Sequence, residues 1–417
     1  MNEHLFQYIW QHRLYDASQL MTEDHQSVFV LHQGTYNHHQ GPDFLYARIR
    51  LNNIELIGSV EMHIKTSDWY QHRHTGDDHY KNVILHVVWD HDVDFNLPIP
   101  VLCLKGRVSS VMLQQYISIM KKDARIPCSA HLPGTDKLII DQWKERMLAE
   151  RILYKVNAIR LYMEKNKYHE EQVFWALLFR NMGMPVNADA LETIYRSVPF
   201  NVWMKCRMRI QVMEALMLGQ ANLLSGEAED DYTIMLQHEY RHIKRKYNLQ
   251  SPYILISNLR MRPAHFPLMR MVQLAMLWHM QPDLYTFMMR EDCILQMRKK
   301  LMVSANDFWQ YHYAITSSSA RREKQLGQSM ADLILINTIF PFRYYHAILS
   351  GKEEDREKVL DFYDQVSAEN NKVIREWKCL HVPVSKASDS QALIHLYNNY
   401  CMQKRCLECG IGVSIIR

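Results

Sequence analysis

"GPDFLYARIRLNNIELIGSVEMHIKTSDW", residues 41 to 69, decides the fold of the first part of this chain. Gly41-Pro42 reads as a turn, "FLYARIRL" and "IELIGSVEMHI" as two strands, and Asn52-Asn53 between them as a two-residue type I′ hairpin turn, because Asn tolerates left-handed backbone. Strand side chains alternate, so Val60, Met62 and Ile64 point one way and Glu61, His63 and Lys65 the other. One face suits a core and the other something polar. A regular ladder sets Asp43 opposite Met62, on the apolar side. A bulge near Gly58-Ser59, where Gly makes it tolerable, brings Asp43 onto the face of Glu61.

Working outward, strand texture extends from "SVFVLH" at 27 to 32 through "NVILHVVW" and "IPVLCL", ending near Leu104. An amphipathic helix over residues 3 to 15 precedes it and another follows near 109 to 121. The segment 122 to 137, "KDARIPCSAHLPGTDK", reads as a linker. Beyond Thr135 apolar residues recur three and four apart in segment after segment, with no fixed repeat. The expected fold is α+β: a small antiparallel or mixed sheet module with flanking helices over 1–125, then a larger all-α domain over 135–417. Its 25 Met and only 13 Gly and 13 Pro fit a mainly helical body.

A length of 417 residues exceeds what one core normally spans, and a formal charge of +4 names no partner by itself. The N-terminus lacks the pattern of a signal peptide, and the most apolar run, "ADLILINTIFPF", is too short for a membrane span and is interrupted by Pro341. These features lead to the expectation of a cytoplasmic protein without a membrane partner. Eight cysteines in so long a chain do not make a disulfide scaffold and lean towards metal or thiol chemistry.

"GPDF" at 41 to 44, "GSVEMHIKTSDWYQHRH" at 58 to 74, "YKNVILHVV" at 80 to 88, "EALMLGQANLL" at 214 to 224, "RPAHFPLMRMVQLA" at 262 to 275, "INTIFP" at 336 to 341 and "CMQKRCLECGIG" at 401 to 412 resemble an uncharacterised bacterial family known only as a domain of unknown function. The resemblance covers essentially the whole chain and implies no reaction. The hairpin by itself resembles the PD-(D/E)xK nucleases. That resemblance implies that Asp43 and Glu61 hold Mg²⁺ or Mn²⁺ and that a Lys polarises the phosphate or the water. Here His63 takes the Lys position, with Lys65 two residues beyond, so His63 is read as ligand or base and Lys65 as charge stabiliser. Asp68, His72, His74, Asp78 and His86 follow as accessory groups, joined by Asp77 and His79 in a loop rich in metal-compatible side chains. The bland reading leaves Glu61 and Lys65 on a solvated hairpin face.

Three further patterns carry chemistry. Cys401, Cys406 and Cys409 form C-x4-C-x2-C, a spacing suited to Zn²⁺ or to an iron–sulfur cluster, with Cys379, His381, His395 and Cys128 as candidate fourth ligands. Their alternative is three packed thiols. His238, Glu239 and His242 spell the H-E-x-x-H of zinc metalloproteases, but Arg241 inside the motif and the basic flank "IKRKY" argue for an exposed helix face. Arg260, Arg262 and Arg270 surround a Pro-containing bend and suit phosphate, as the Arg241 to Lys246 cluster does more weakly. The leading expectation is a divalent-metal-dependent hydrolase, nuclease-like and acting on nucleic acid. A non-catalytic binding or scaffold protein with a structural metal competes with it.

Overall fold

The computed structural model describes residues 1–417 except 122, 123, 166, 168, 228, 229 and 260. Two compact units emerge: Met1–Trp143 with Tyr397–Arg417, and Lys144–Leu396. The C-terminal segment, with its three cysteines, thus belongs with the sheet unit, where the sequence pattern joins it to the helical domain. The start of the expected linker, Lys122 and Asp123, lies outside the described residues; within the rest of it Leu132–Gly134 forms one 3₁₀ turn.

The sheet unit opens with helix α1 (Glu3–Gln11), whose N-cap Asn2 accepts a hydrogen bond from the Leu5 amide. Strands β1 (Leu20–Met21), β2 (Ser27–His32), β3 (Thr35–Tyr36), β4 (Phe44–Leu51) and β5 (Ile54–Lys65) follow, then helix α2 (Asp68–Gln71), β6 (Val83–Asp90), β7 (Val101–Cys103) and helix α3 (Ser110–Lys121). They build a mixed sheet in the order β1-β2-β4-β5-β6-β7, with β3 beside β4. The β2, β4 and β5 pairings are antiparallel, whereas β6 runs parallel to β5 and β7 parallel to β6. A parallel neighbour requires a crossover, and residues 66 to 82 supply it, carrying α2 over one face of β5.

Asn52 turns the hairpin with φ +52°, but Asn53 does not share its left-handed backbone, so the expected type I′ turn, which needs both, does not form. The Asn52 side chain is committed elsewhere: its oxygen accepts the Ser27 amide and fastens β2 to the turn. From Leu51↔Ile54 to Ala47↔Gly58 the ladder is regular; at Phe44↔Val60 it has shifted by one residue. The extra residue lies in β4 beside Tyr46, whose φ is +58°. The bend therefore exists on the strand opposite to the expected Gly58-Ser59. Gly58 has another duty, since a Cβ there would stand 2.5 Å from Ile84 Cγ2 and 2.6 Å from the Asn82 carbonyl, where the chain enters β6.

The second unit is mainly helical, and among its described residues the strands are those of a short hairpin, His312–Ala314 and Ser317–Ser318. Helix α4 (Lys137–Lys165) leads into it, followed by α5 (Glu170–Met182), α6 (Met184–Arg196), α7 (Phe200–Cys206), α8 (Ile210–Gln220), α9 (Asp231–Lys246), α10 (Pro267–Met280) and further helices to residue 396. Its centre is aromatic: Trp175 stacks on Trp278 at 4.0 Å, and Trp203 lies 5.7 Å from Trp278. Pro341 does not interrupt the helical run from Gln328 to Ser350. A π-helical turn at Leu335–Ile339 precedes it, and Pro341 sits in the first turn of the segment Phe340–Ser350, where a missing N–H is tolerated. No helix among the described residues is long and apolar enough to cross a membrane.

Candidate metal centre

Residues 58 to 63 of β5 are buried on both faces, so Glu61 and His63, at 5% and 1% exposure, are not a solvated hairpin face. Val60 and Met62 enter the apolar core. The polar face is covered by the crossover, whose Trp69 is 2% exposed and places its ring 6.3 Å from His63, 5.4 Å from His74 and 5.1 Å from His86. Tyr80 stacks on His74 at 3.8 Å and Phe95 closes over His86 at 5.0 Å.

The shifted ladder brings Asp43 alongside Glu61. The Asp43 amide donates to Glu61 Oε2 at 3.1 Å, and the Met62 amide donates to Asp43 Oδ2 at 3.1 Å. Gln7 of α1 adds a 2.8 Å hydrogen bond to Asp43 Oδ1 and accepts another from the Tyr36 hydroxyl at 3.1 Å. No pattern in the sequence ties Gln7 to Asp43, because the contact depends on how α1 packs against the sheet.

Four histidines gather on the far side of Glu61. His63 Nε2 lies 3.1 Å from His72 Nδ1, and His63 Nδ1 lies 3.0 Å from His86 Nε2. Glu61 Oε1 is 3.5 Å from His63 Nε2 and 3.4 Å from His74 Nε2. One ligand atom each from His63, His72 and His74 falls within 4.8 Å of the others. His72 and His74 both reach this point because Arg73 between them adopts φ +60°. Such backbone commonly marks functional turns. His72 is exposed, so the cluster opens to solvent at its edge.

Loss of water moves the titrations here in opposite directions. Burial raises both carboxyls, and the Asp43 charge adds to the rise at Glu61. Burial lowers His63 to about 2 and His86 to about 3, with neighbouring imidazoles adding to each effect, and lowers His74 in the same way. His63 and His74 are therefore neutral, and their approaches to Glu61 are not ion pairs. Neutral imidazole is the ligand-competent form. His74 Nε2 and His86 Nδ1 are buried without a hydrogen-bond partner. Protein structures seldom leave such atoms unmet.

Other expected site residues stand apart. Lys65 is exposed at the end of β5 and faces the charge of Asp92. Asp68 accepts the Lys65 amide at 2.8 Å and so anchors the crossover. Asp78 is exposed and paired with Lys81 at 2.6 Å, while Asp77 and His79 pair with each other. His238 and His242 are exposed on α9, and Glu239 lies 3.7 Å from Arg209. Among the described residues no third metal-binding side chain completes that pair, which removes the geometric support for the protease motif. Arg260 lies outside the described residues; Arg262 is exposed and Arg270 is buried.

Cys401, Cys406 and Cys409 are buried, and the thiol that joins them is Cys128, buried in the same unit. Burial and the other thiols raise Cys128 to about 12, Cys406 to about 11 and Cys401 strongly. The arrangement is looser than the histidine triad, whose ligand atoms alone meet the 4.8 Å spacing among the described residues. Cys379 and His381 are exposed in the other unit, where His395 also lies, 3.3 Å from Glu150.

No curated protein and no solved structure matches the chain. The match to a family spans residues 3–372, taking in the hairpin, the histidine loop and Cys128 and stopping short of the C-terminal cysteine motif. Over that span the chain belongs to the family described as Protein of unknown function (DUF2851).

Proposed function

We propose that the cluster on β5 and its crossover binds a divalent cation and hydrolyses phosphodiester bonds in nucleic acid. The observation that carries this reading is the convergence of His63, His72 and His74 within 4.8 Å beside Glu61, with Asp43 hydrogen-bonded behind it. The residues fit a metal: three imidazoles supply nitrogen, two carboxyls supply negative charge, and a dication would relieve the cost of ionising both acids in a buried place. A nitrogen-rich set favours Mn²⁺ or Zn²⁺ over the Mg²⁺ that Asp43 and Glu61 suggest by themselves. A cation held there supplies Lewis acidity towards a phosphoryl oxygen and acidifies water.

In this reading His63 and His74 hold the cation from within, His72 from the solvent edge, and Glu61 serves as ligand or as acceptor of the water's proton. His86, against the second nitrogen of His63, fixes which nitrogen of His63 is free to bind. Asp43 orients Glu61 through its backbone amide. The substrate class rests on the resemblance of the hairpin, with Asp43 at the start of one strand and Glu61 on its neighbour, to the PD-(D/E)xK nucleases. The free thiols of all eight cysteines support a reducing, cytoplasmic setting. A non-catalytic role with a structural metal is the second reading, favoured by the near-complete burial of His63 and His86.

The test is elemental analysis of the purified chain together with cleavage of single- and double-stranded DNA and RNA in Mn²⁺, Zn²⁺ and Mg²⁺. The expected result is one ion at the histidine site, lost in His72→Ala, and cleavage that falls at least ~100-fold in Glu61→Ala. Metal retention without cleavage would leave the structural reading; neither metal nor cleavage would end both. At the cysteines, Cys128, Cys401, Cys406 and Cys409 are the donor set for a structural Zn²⁺, and a Zn²⁺ equivalent lost in Cys128→Ser but kept in Cys379→Ser would support that assignment.

A further inference from the structure

A cavity of about 320 Å³ lies in the helical unit between the end of α5, the first turn of α6, the segment 261 to 265 and the first turn of α10. Its volume is at the lower end of small-molecule sites. Arg270 forms its floor, and Arg262 and His265 stand at its exposed mouth. No acidic side chain lines it among the described residues.

Arg270 is 7% exposed. One guanidinium nitrogen donates to Gln273 Oε1 at 2.9 Å, and Gln273 is itself held, donating to the Lys324 carbonyl at 3.1 Å. The Nε of Arg270 is buried with no partner, and no carboxylate forms an ion pair with the side chain among the described residues. A carboxylate anchor within the helical core is therefore not what holds this arginine. A buried cation answered only by an amide is costly unless an anion completes it. Burial alone depresses Arg270, and at His265 burial, Arg270 and Arg262 all act in the same direction, as expected of cations directed at one space.

The backbone adds to this field. Helices α6 and α10 have 13 and 14 residues and both begin at the cavity wall, so two positive helix ends meet there against the single negative end of α5. The wall is built rather than loose. A Cβ on Gly183 would lie 2.4 Å from the Asn187 carbonyl, so the close α5–α6 corner needs glycine. The buried Asn187 side chain donates to the Ser257 carbonyl at 3.0 Å and accepts the Ser257 amide at 2.9 Å, fastening the incoming segment to α6. Between the cationic floor and mouth the surface is apolar, from Met182, Met184, Val186 and Met261.

We infer that this cavity binds a small organic phosphomonoester, its phosphate on Arg270 between the starts of α6 and α10 and its apolar body against the methionines. Arg262 and His265 close over the phosphate from the mouth. The fork of a guanidinium matches phosphate geometry, and two guanidinium groups, with a neutral His265 as a further hydrogen-bonding group at the mouth, suit a dianion better than a carboxylate. The site stands independently of the proposed hydrolase activity, since none of its residues belongs to the metal centre.

Isothermal titration calorimetry of the full chain with inorganic phosphate, phenyl phosphate and benzoate tests it. Phenyl phosphate is expected to bind about 10-fold or more tightly than either inorganic phosphate or benzoate, because only it offers both the dianion and the apolar body. Arg270→Met is expected to weaken phenyl phosphate at least ~10-fold and Arg270→Lys to restore part of the loss. Arg262→Gln, at an exposed position that leaves the core intact, is expected to weaken it several-fold, which guards against misfolding of the buried variant. Unchanged affinity in both Arg270→Met and Arg262→Gln, or no binding of any probe, would overturn the assignment. Preference for benzoate would overturn the phosphate head, and preference for inorganic phosphate would overturn the organic body.

Discussion

Buried polar groups are answered differently in two regions of this molecule. In the helical unit Glu214, fully buried, accepts the Tyr232 hydroxyl at 2.7 Å and the Asn306 amide at 2.6 Å. Lys155 there donates to the Ile336 carbonyl, Asn337 and Gln391 at 3.2, 2.9 and 2.5 Å. At these two positions each charge-bearing group is met by hydrogen-bonding partners of opposite sense. On β5 the arrangement is reversed: carboxyl lies against carboxyl and imidazole against imidazole, and two ring nitrogens are unmet. Burial by itself therefore does not mark a site. What marks it is burial in which the neighbours share the same need.

Three experiments would break or sharpen this contrast. The largest effect is expected at Glu214, whose carboxyl burial pushes up to about 7 from 4.5. A raised pKa means that the protonated form is favoured by folding. Its contribution is present below about pH 4.5 and disappears as pH rises through 7, a difference of roughly 3 kcal/mol. Asp43 and Glu61 slope in the same sense, so the comparison of wild type with Glu214→Gln isolates this group. Urea midpoints from pH 4.5 to 8 should fall less steeply in the variant, and equal slopes would refute the assignment.

The second expected effect is at His86, which touches His63 on the side away from His72. If it orients a ligand, His86→Ala weakens metal binding by about 10 to 100-fold while leaving three imidazoles in place. Competition with a fluorescent chelator reads this directly, and unchanged affinity would make His86 a packing residue. The smallest effect belongs to Tyr46, 75% exposed yet held at φ +58°. Tyr46→Gly should gain about 0.5–1 kcal/mol in chemical denaturation, because left-handed backbone is costly for tyrosine and open to glycine. Tyr46→Val should instead resist the bulge, separate Asp43 from Glu61 and reduce metal uptake with them.

Much of the sheet unit was legible in the chain. The spans Ser27–His32 and Phe44–Leu51 follow from β-branched and aromatic runs between turn residues, and alternation sets Glu61 and His63 on one face. The bulge was needed by the site but misplaced, since Tyr46 carries no glycine or asparagine signal, whereas Gly58 does and serves a close approach instead. His72 and His74 looked accessory because a local reading does not reveal that the turn at Arg73 leaves both beside His63. Cys128 was one of four candidates until the fold set it beside the C-terminal thiols. Arg270 could be distinguished from a carboxylate-anchored core arginine only once its neighbours were known.

The sequence by itself determined what is local: the strand and helix periods, the identity of the polar residues, and the face on which Glu61 and His63 lie. Tertiary structure decided which of those residues meet and which lose water. Both depend on distant segments, on α1 reaching Asp43 through Gln7 and on the crossover laying Trp69 over the histidines. Dielectric environment and partnership are properties of the packed chain, and they turn an ordinary Glu-x-His on a strand into a candidate metal centre.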